Sequence, residues 1–134
     1  MSTQTLTQGI AVPVRRTLHI LYAEDMRELR ILLEGALGRD GHLVESAPDG
    51  LVALGRIITA PVAFDLLITD HQMPNMTGLE LVGQLRQLPF TGKIIVFSAE
   101  LSVEVAAAYR RLRVDYILPK PIFPATLRAL LTTL

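Results

Sequence analysis

The chain contains no cysteine and no tryptophan among its 134 residues. Without cysteine it has no disulfides, no thiolate metal ligands and no thiol redox chemistry. The absence fits a reducing compartment, and we expect a cytoplasmic protein. No apolar stretch approaches the roughly 18 residues of a membrane span, and the N-terminus lacks the basic-then-apolar order of a signal peptide. We therefore expect no membrane partner.

Net charge is also absent, because 13 basic and 13 acidic residues cancel. No overall field draws the chain to nucleic acid or to an anionic membrane. The cluster Arg110-Arg111-x-Arg113 is not interleaved with aromatic residues. A helix C-terminus, where the dipole favours cations, explains this cluster more simply. We expect no direct contact with nucleic acid.

The length of the chain suits one domain, since 134 residues can bury well over half of the surface that the unfolded chain exposes. Residues 1–16 are rich in threonine and glutamine, show no sustained period and end in Pro13-Val14-Arg15-Arg16. This composition predicts a flexible N-terminal arm. A single folded domain is expected over residues 17–134.

Within that domain, apolar runs with β-branched residues alternate with segments of helical period. The predicted strands are Leu18–Ala23, His42–Ser46, Leu66–Thr69, Lys93–Phe97 and Tyr116–Leu118. The predicted helices are Met26–Leu37, Gly50–Ile58, Gly78–Leu88, Ser102–Leu112 and Pro124–Thr133. This alternation predicts an α/β fold, a doubly wound five-stranded parallel sheet with helices on both faces.

Charged residues follow three of the predicted strands: Glu24-Asp25 the first, Asp70 the third and Lys120 the fifth. The C-terminal ends of parallel strands share one edge of a sheet, where open α/β folds bind ligands. Three carboxylates crowded there repel one another unless a cation neutralises them, and Mg²⁺ is the usual one. A carboxylate can also be the nucleophile in phosphoryl transfer. For Glu24-Asp25 taken alone, simple helix capping is the alternative.

Two further side chains belong to this edge. The Lys120 ammonium can pair with phosphate oxygens or form a structural salt bridge with one of the acids, and these two roles are compatible. Ser98 offers a hydroxyl to a phosphoryl oxygen, or caps the next helix. The three histidines, His19, His42 and His71, lack any metal-binding spacing, so we expect them to be structural or solvent-facing.

Together these residues resemble the receiver domain of two-component response regulators, from about Thr17 to the C-terminus. The resemblance rests on the set: Glu24-Asp25, Asp70-x-x-Met73-Pro74 with Gly78, Ser98-Ala99 and Lys120-Pro121. It implies the flavodoxin-like (βα)5 receiver fold with strand order 2-1-3-4-5. It also implies a peptide bond before Pro121 that is usually cis in this family.

The resemblance implies a role for each matched residue. Asp70 would be the phosphoacceptor. Mg²⁺ would be bound by Glu24, Asp25, Asp70 and the backbone carbonyl of Gln72. The phosphoryl group would contact Ser98, Ala99 and Lys120, while Gln72 and Glu100 would tune the lifetime of the acyl phosphate.

The chain departs from the family pattern in the switch region. Receivers usually carry Tyr or Phe three residues before the lysine, where this chain has Ile117, with Tyr116 one place earlier. On a strand that offset turns Tyr116 toward the opposite face, unless a local irregularity brings it back. Arg113-Val114 replaces the usual Gly-Ala, so the preceding helix is expected to end without the left-handed cap that glycine allows.

The resemblance implies a phosphorylation-switched signalling module rather than a turnover enzyme. A sensor histidine kinase or a histidine phosphotransfer protein would donate the phosphoryl group. An unknown downstream protein would read the fourth helix, fifth strand and fifth helix, a face that could also support a homodimer. The alternatives are a phosphate-independent receiver-like interaction module, suggested by Ile117 and Arg113, and a haloacid dehalogenase type phosphatase. Gln72 argues against the phosphatase, which typically needs a second acid there.

Overall fold

A computed structural model of the protein describes residues 16–134. The strands are β1 (His19–Ala23), β2 (Leu43–Ala47), β3 (Leu66–Asp70), β4 (Lys93–Ser98) and β5 (Tyr116–Pro119). The helices are α1 (Arg27–Arg39), α2 (Gly50–Thr59), α3 (Gly78–Leu85), α4 (Val103–Arg111) and α5 (Pro124–Leu131). The predicted arm lies outside the described residues except for Arg16, so the boundary at residue 17 stays a prediction.

The five strands form one parallel sheet in the order β2-β1-β3-β4-β5, as the sequence predicts. All five residues of β3 are buried, and β4 is buried after Lys93, because helices cover both faces of these central strands. The edge strands β2 and β5 are more exposed. After β2 the chain crosses back past β1, so β1 and β3 are direct neighbours.

Alternate residues of each strand enter two separate apolar cores, one on each face of the sheet. One core joins the strands to α2, α3 and α4, with Ala53, Leu81 and Tyr109 among its buried residues. The other joins them to α1 and α5 through residues such as Leu33 and Leu127. Each helix therefore buries one apolar face against the sheet, and the loops that connect strands and helices lie at the ends of the strands.

Tyr116 and Ile117 lie on opposite faces of the sheet, as the one-residue offset predicts. Tyr116 packs against the α1 and α5 core, and its hydroxyl lies 2.9 Å from the Thr133 Oγ1 of the segment that follows α5. Ile117 packs against the core that contains α4. The alternative of a local irregularity that returns Tyr116 to the other face is not seen.

The end of α4 corrects one prediction. We expected no left-handed cap, but Arg113 adopts that conformation with a φ of 60°. The Arg86 side chain holds the turn, since its Nε donates to the Leu112 carbonyl at 2.7 Å and its Nη2 to the Arg113 carbonyl at 3.0 Å. These bonds offset the steric cost of the conformation for a residue with a Cβ.

Candidate functional site

The C-terminal edge of the sheet gathers the predicted site residues. Glu24 and Asp25 directly follow β1, Asp70 ends β3, and Lys120 directly follows β5. Ser98 ends β4 beside them. Because all strands run in the same direction, residues far apart in the sequence meet at one edge. The peptide bond between Lys120 and Pro121 is cis.

Lys120 joins two acids that are almost completely buried. Its ammonium Nζ donates to the Glu24 Oε1 at 2.9 Å and to the Asp70 Oδ2 at 3.1 Å. Glu24 is 1% exposed and Asp70 is 6% exposed. One cation therefore faces two buried carboxylates, with Asp25 as a third acid beside them, and the cluster carries excess negative charge.

The three acids form a group with the geometry of a metal site. One carboxylate oxygen from each of Glu24, Asp25 and Asp70 lies within 4.8 Å of the other two. All three donors are hard oxygens, the type that Mg²⁺ prefers. Asp25 is exposed while the other two acids are buried, so an ion would have one open side toward solvent. These residues fit a bound Mg²⁺.

Burial and neighbouring charges shift the protonation of this cluster. Burial raises the pKa of Glu24, and this exceeds the lowering by its bonds to Lys120 and to the Met26 backbone. Burial lowers the pKa of Lys120, but its hydrogen bonds to Glu24 and Asp70 outweigh this effect and raise it overall. Burial, followed by the Glu24 charge, raises the pKa of Tyr22, whose hydroxyl donates to Glu24 at 3.3 Å. The charged form of Lys120 is thus favoured, while ionisation of Glu24 is disfavoured.

The backbone around Glu24 and Asp25 is also held from α1. The Arg30 Nη1 donates to the Glu24 carbonyl at 2.6 Å and to the Asp25 carbonyl at 3.1 Å. The Met26 N–H donates to the Glu24 Oε2 at 3.2 Å. Glu24 thus accepts from the residue before α1, but no side chain caps the helix, so the helix-capping alternative for Glu24-Asp25 is not seen. Asp25 stays exposed.

The loop from His71 to Gly78 closes tightly next to Asp70. The His71 N–H donates to the Asp70 Oδ1 at 2.8 Å, and the Gly78 N–H donates to the His71 carbonyl at 2.7 Å. A Cβ at Gly78 would collide with the Asp70 carbonyl oxygen and would lie 2.8 Å from the Tyr109 hydroxyl. Glycine is therefore required here by close approach of the backbone.

Two polar contacts fix the rest of this loop. Thr77 and Glu80 form a reciprocal capping box that begins α3. Asn75 has a φ of 67°, and its side chain donates to the Asp49 Oδ2 at 2.9 Å. Asp49 also caps α2, and its hydrogen bond from the Val52 N–H, followed by that from Asn75, lowers its pKa despite burial.

Ser98 makes a local hydrogen bond instead of one to the acids. Its hydroxyl donates to the Glu100 carbonyl at 2.7 Å and accepts from the Glu100 N–H at 3.2 Å. Ser102, rather than Ser98, caps α4. The phosphoryl-binding roles of Ser98 and Ala99 and the tuning roles of Gln72 and Glu100 stay predictions.

One neighbour of the loop that follows Asp70 is not indicated by any sequence pattern. The hydroxyl of Tyr109, a fully buried residue of α4, lies 2.6 Å from the His71 Nδ1. The two rings meet edge to face, with centroids 5.5 Å apart. Burial, followed by the charge of Asp70, raises the pKa of Tyr109. His71 is therefore a structural partner of α4, in line with the expectation that the histidines are structural or solvent-facing.

Comparison with known proteins gives the family. The response regulator receiver domain matches residues 20–132, most of the chain. The chain belongs to this family and is a receiver domain of two-component response regulators, a signalling module.

Curated relatives include the transcriptional regulatory protein TctD of Salmonella typhimurium (strain LT2). It is 36% identical over 118 residues, which cover 85% of this chain and 52% of TctD. The response regulator MprA of Mycobacterium avium (strain 104) is 37% identical over 118 residues, which cover 85% of this chain and 51% of MprA. The chain spans about half the length of these curated relatives.

Solved structures agree with the fold. The Vibrio cholerae chemotaxis protein CheY4 superposes with a TM-score of 0.80 at 30% identity, covering 88% of this chain and 98% of CheY4. The response regulator receiver protein from Pseudomonas putida gives a TM-score of 0.82 at 26% identity, covering 90% of this chain and 100% of that one. Among residues 16–134, no helix is long and apolar enough to cross a membrane.

Proposed function

We propose that this receiver domain accepts a phosphoryl group on Asp70 from a phosphohistidine of a sensor kinase or a phosphotransfer protein. The observation that carries this proposal is the cluster at the end of β3. There Asp70 lies within hydrogen-bond distance of the Lys120 ammonium and shares a metal-sized site with Glu24 and Asp25.

The proposed reaction is a phosphoryl transfer between two side chains. A carboxylate oxygen of Asp70 forms a bond to phosphorus while the bond between phosphorus and the donor imidazole nitrogen breaks. The electron pair of that bond leaves with the imidazole. Asp70 is suited to this role because the Lys120 ammonium and the His71 N–H hold its two oxygens in a fixed orientation.

Glu24, Asp25 and Asp70, with the backbone carbonyl of Gln72, would hold Mg²⁺, which supplies charge neutralisation for the incoming phosphoryl oxygens. Lys120 is charged and can pair with a phosphoryl oxygen. Ser98 would reach another oxygen once its hydroxyl leaves the Glu100 carbonyl. Water later hydrolyses the acyl phosphate. Gln72, two residues after Asp70, and Glu100, two residues after Ser98, would tune the rate of that hydrolysis.

We propose that the output is a change of shape rather than a turnover reaction. The phosphorylated and free forms would differ in the face formed by α4, β5 and α5, which a downstream protein or a second copy would contact. A cytoplasmic location would match a kinase donor of this type. Against an aspartyl phosphatase, the second residue after Asp70 is Gln72, which cannot act as a general acid.

The proposal is tested by incubation with acetyl phosphate and Mg²⁺, followed by intact mass measurement. Asp70→Asn is the test variant, and Asp65→Asn, at the start of the same strand, is the matched control. We expect one alkali-labile phosphoryl mass that needs Mg²⁺, is present in the control and is absent in Asp70→Asn. No added mass in the wild type, in an assay where another receiver is labelled, would favour the phosphate-independent interaction module.

A further inference from the structure

Tyr109 contacts both ends of the loop that follows Asp70. Its hydroxyl lies 2.6 Å from the His71 Nδ1, and a Cβ added to Gly78 would lie 2.8 Å from the same hydroxyl. His71 and Gly78 are themselves joined by the 2.7 Å bond that closes the loop. The Tyr109 hydroxyl is therefore located at the closure of the loop, while its backbone belongs to α4.

His71 connects this hydroxyl to the phosphoacceptor. The backbone N–H of His71 donates to the Asp70 Oδ1 at 2.8 Å and to the Phe97 carbonyl of β4 at 2.9 Å. A continuous path of three residues thus runs from the Asp70 carboxylate through His71 to Tyr109. Among residues 16–134, no comparably short series of hydrogen bonds joins Asp70 to a residue of α5.

Tyr109 shares an apolar core with the usual aromatic switch position. Ile117, which occupies that position, packs against this core, whereas Tyr116 lies on the other face of the sheet. Aromatic volume on the α4 side of this part of the sheet is supplied by α4 instead of β5. A buried tyrosine that lacks room to rotate makes a rigid link, because protein interiors are close-packed.

We propose that the His71–Tyr109 pair couples the phosphorylation state of Asp70 to the position of α4. Tyr109 is a positioning residue that acts through His71. This inference rests on the proposed phosphorylation of Asp70. It assigns transmission of the signal from Asp70 to the hydrogen bond between His71 and Tyr109, which the aliphatic Ile117 cannot provide.

The coupling has a simple electrostatic origin. In the free domain the His71 N–H donates to an ionised carboxylate, and hydrogen bonds to ionised acceptors are roughly twice as strong as neutral ones. Forming the acyl phosphate neutralises that carboxyl group and moves the negative charge to the phosphoryl oxygens. The His71 backbone is then held less tightly by Asp70, and its ring transmits the change to the Tyr109 hydroxyl.

The test records amide chemical shifts of α4, Val103–Arg111, before and after phosphorylation with acetyl phosphate and Mg²⁺. Tyr109→Phe removes the hydroxyl and keeps the ring. Tyr116→Phe is the matched control, since it removes a tyrosine hydroxyl on the opposite face of the sheet. His71→Leu breaks the same bond from the other side, so it carries the test if Tyr109→Phe fails to fold. Intact mass reports the extent of phosphorylation in each protein.

We expect Tyr109→Phe to be phosphorylated to the wild-type extent while the α4 shift changes fall at least about two-fold. In His71→Leu the α4 shift changes should fall by the same factor when they are compared at equal extents of phosphorylation. The double variant should show no further loss, because both substitutions break one bond. Full α4 shift changes in a phosphorylated Tyr109→Phe, or an equal loss in Tyr116→Phe, would overturn the inference and leave the proposed function intact. A wild type that accepts no phosphoryl group would overturn both.

Discussion

Glu24 shows how a functional site conflicts with stability at the level of one residue. It is buried, and one cation must serve both it and Asp70. Burial raises its pKa from the usual 4.5, so the folded protein holds a proton at Glu24 to a higher pH than the unfolded chain does. The stability contributed by this group is fully present below pH 4.5 and is lost as the pH rises through the raised pKa.

We predict that Glu24→Gln stabilises the metal-free protein at neutral pH by about 1 kcal/mol, because the desolvation cost of the charge is removed. Denaturant unfolding in the presence of a chelator measures this, at neutral pH and again below pH 4.5, where the advantage of the variant should vanish. The same variant should be phosphorylated more slowly in Mg²⁺, since it lacks a candidate metal ligand. A variant that is less stable at neutral pH would show that Glu24 is held there by net attraction.

The loop after Asp70 requires glycine at position 78, because a Cβ there would collide with the Asp70 carbonyl oxygen. We predict that Gly78→Ala lowers the free energy of unfolding by about 2 to 3 kcal/mol, the usual range for overpacking. Gly83→Ala is the matched control in the same helix, since nothing lies within 4 Å of its added Cβ. That substitution should instead raise stability by about 0.5 to 1 kcal/mol. Equal effects in the two variants, measured by denaturant unfolding, would contradict the tight closure of the loop.

The sequence predicts that the three acids and Lys120 meet at one edge of the sheet, because each lies at the end of an apolar strand or directly after one. It does not predict the contact between His71 and Tyr109, which are 38 residues apart. Tyr109 reads as one more core-facing residue of a helix, and only the packing of α4 against the loop shows its hydroxyl. The bond from Ser98 to the Glu100 carbonyl depends on a side-chain rotamer, which a sequence pattern does not encode.

At the scale of elements, the end of α4 is the point where the structure departs from expectation. Arg113 takes a left-handed conformation that costs a residue with a Cβ roughly 1 to 2 kcal/mol. Arg86 compensates by hydrogen bonds to the two carbonyls of the turn. Such long-range support from α3's C-cap residue is not visible in the local sequence of α4, which explains why the prediction was wrong.

We predict that Arg113→Gly raises the free energy of unfolding by about 0.5 to 1 kcal/mol, because glycine adopts this φ without strain. Arg86 donates only to backbone carbonyl oxygens of the turn, so its two hydrogen bonds should persist. Arg110→Gly, within the last turn of α4, should lower stability by up to about 1 kcal/mol. Thermal and denaturant unfolding measure the stability of both variants. A destabilised Arg113→Gly would mean that the arginine side chain itself stabilises the fold.

Other element boundaries follow from the sequence to within a few residues. Helix α3 ends at Leu85, three residues before the predicted end, since Gln87 and Leu88 donate to carbonyls only three residues back. Its start at Gly78 agrees with the prediction, and the structure shows a capping box of Thr77 and Glu80 there. Helix ends that tighten into a turn are harder to predict from the sequence.

At the scale of the whole molecule, the parallel sheet brings together residues from four strand ends and leaves a charge imbalance at one edge. Any ion that binds only the folded state stabilises it by mass action. We predict that saturating Mg²⁺ raises the unfolding temperature and that Asp25→Asn removes most of this rise. Asp25 is exposed, so the substitution should leave the metal-free stability nearly unchanged.

Asp65→Asn serves as the control in that thermal titration, because Asp65 precedes β3 at the opposite edge of the sheet and bonds the His19 N–H. It should lose stability without losing the response to Mg²⁺. An equal response to Mg²⁺ in Asp25→Asn and the wild type would place the ion elsewhere. The fold and its strand order are predicted from the alternation of elements and the resemblance, whereas the occupancy of the site requires this measurement.

The proposed function depends on Asp70 as the residue that carries the phosphoryl group, so the modified residue must be located. After phosphorylation with acetyl phosphate and Mg²⁺, borohydride reduces an aspartyl phosphate to homoserine, which peptide mass mapping then finds. We expect homoserine at residue 70 and nowhere else in the chain. Reduction at Asp25 or another acid, or a phosphoryl mass that yields no homoserine at position 70, would contradict it.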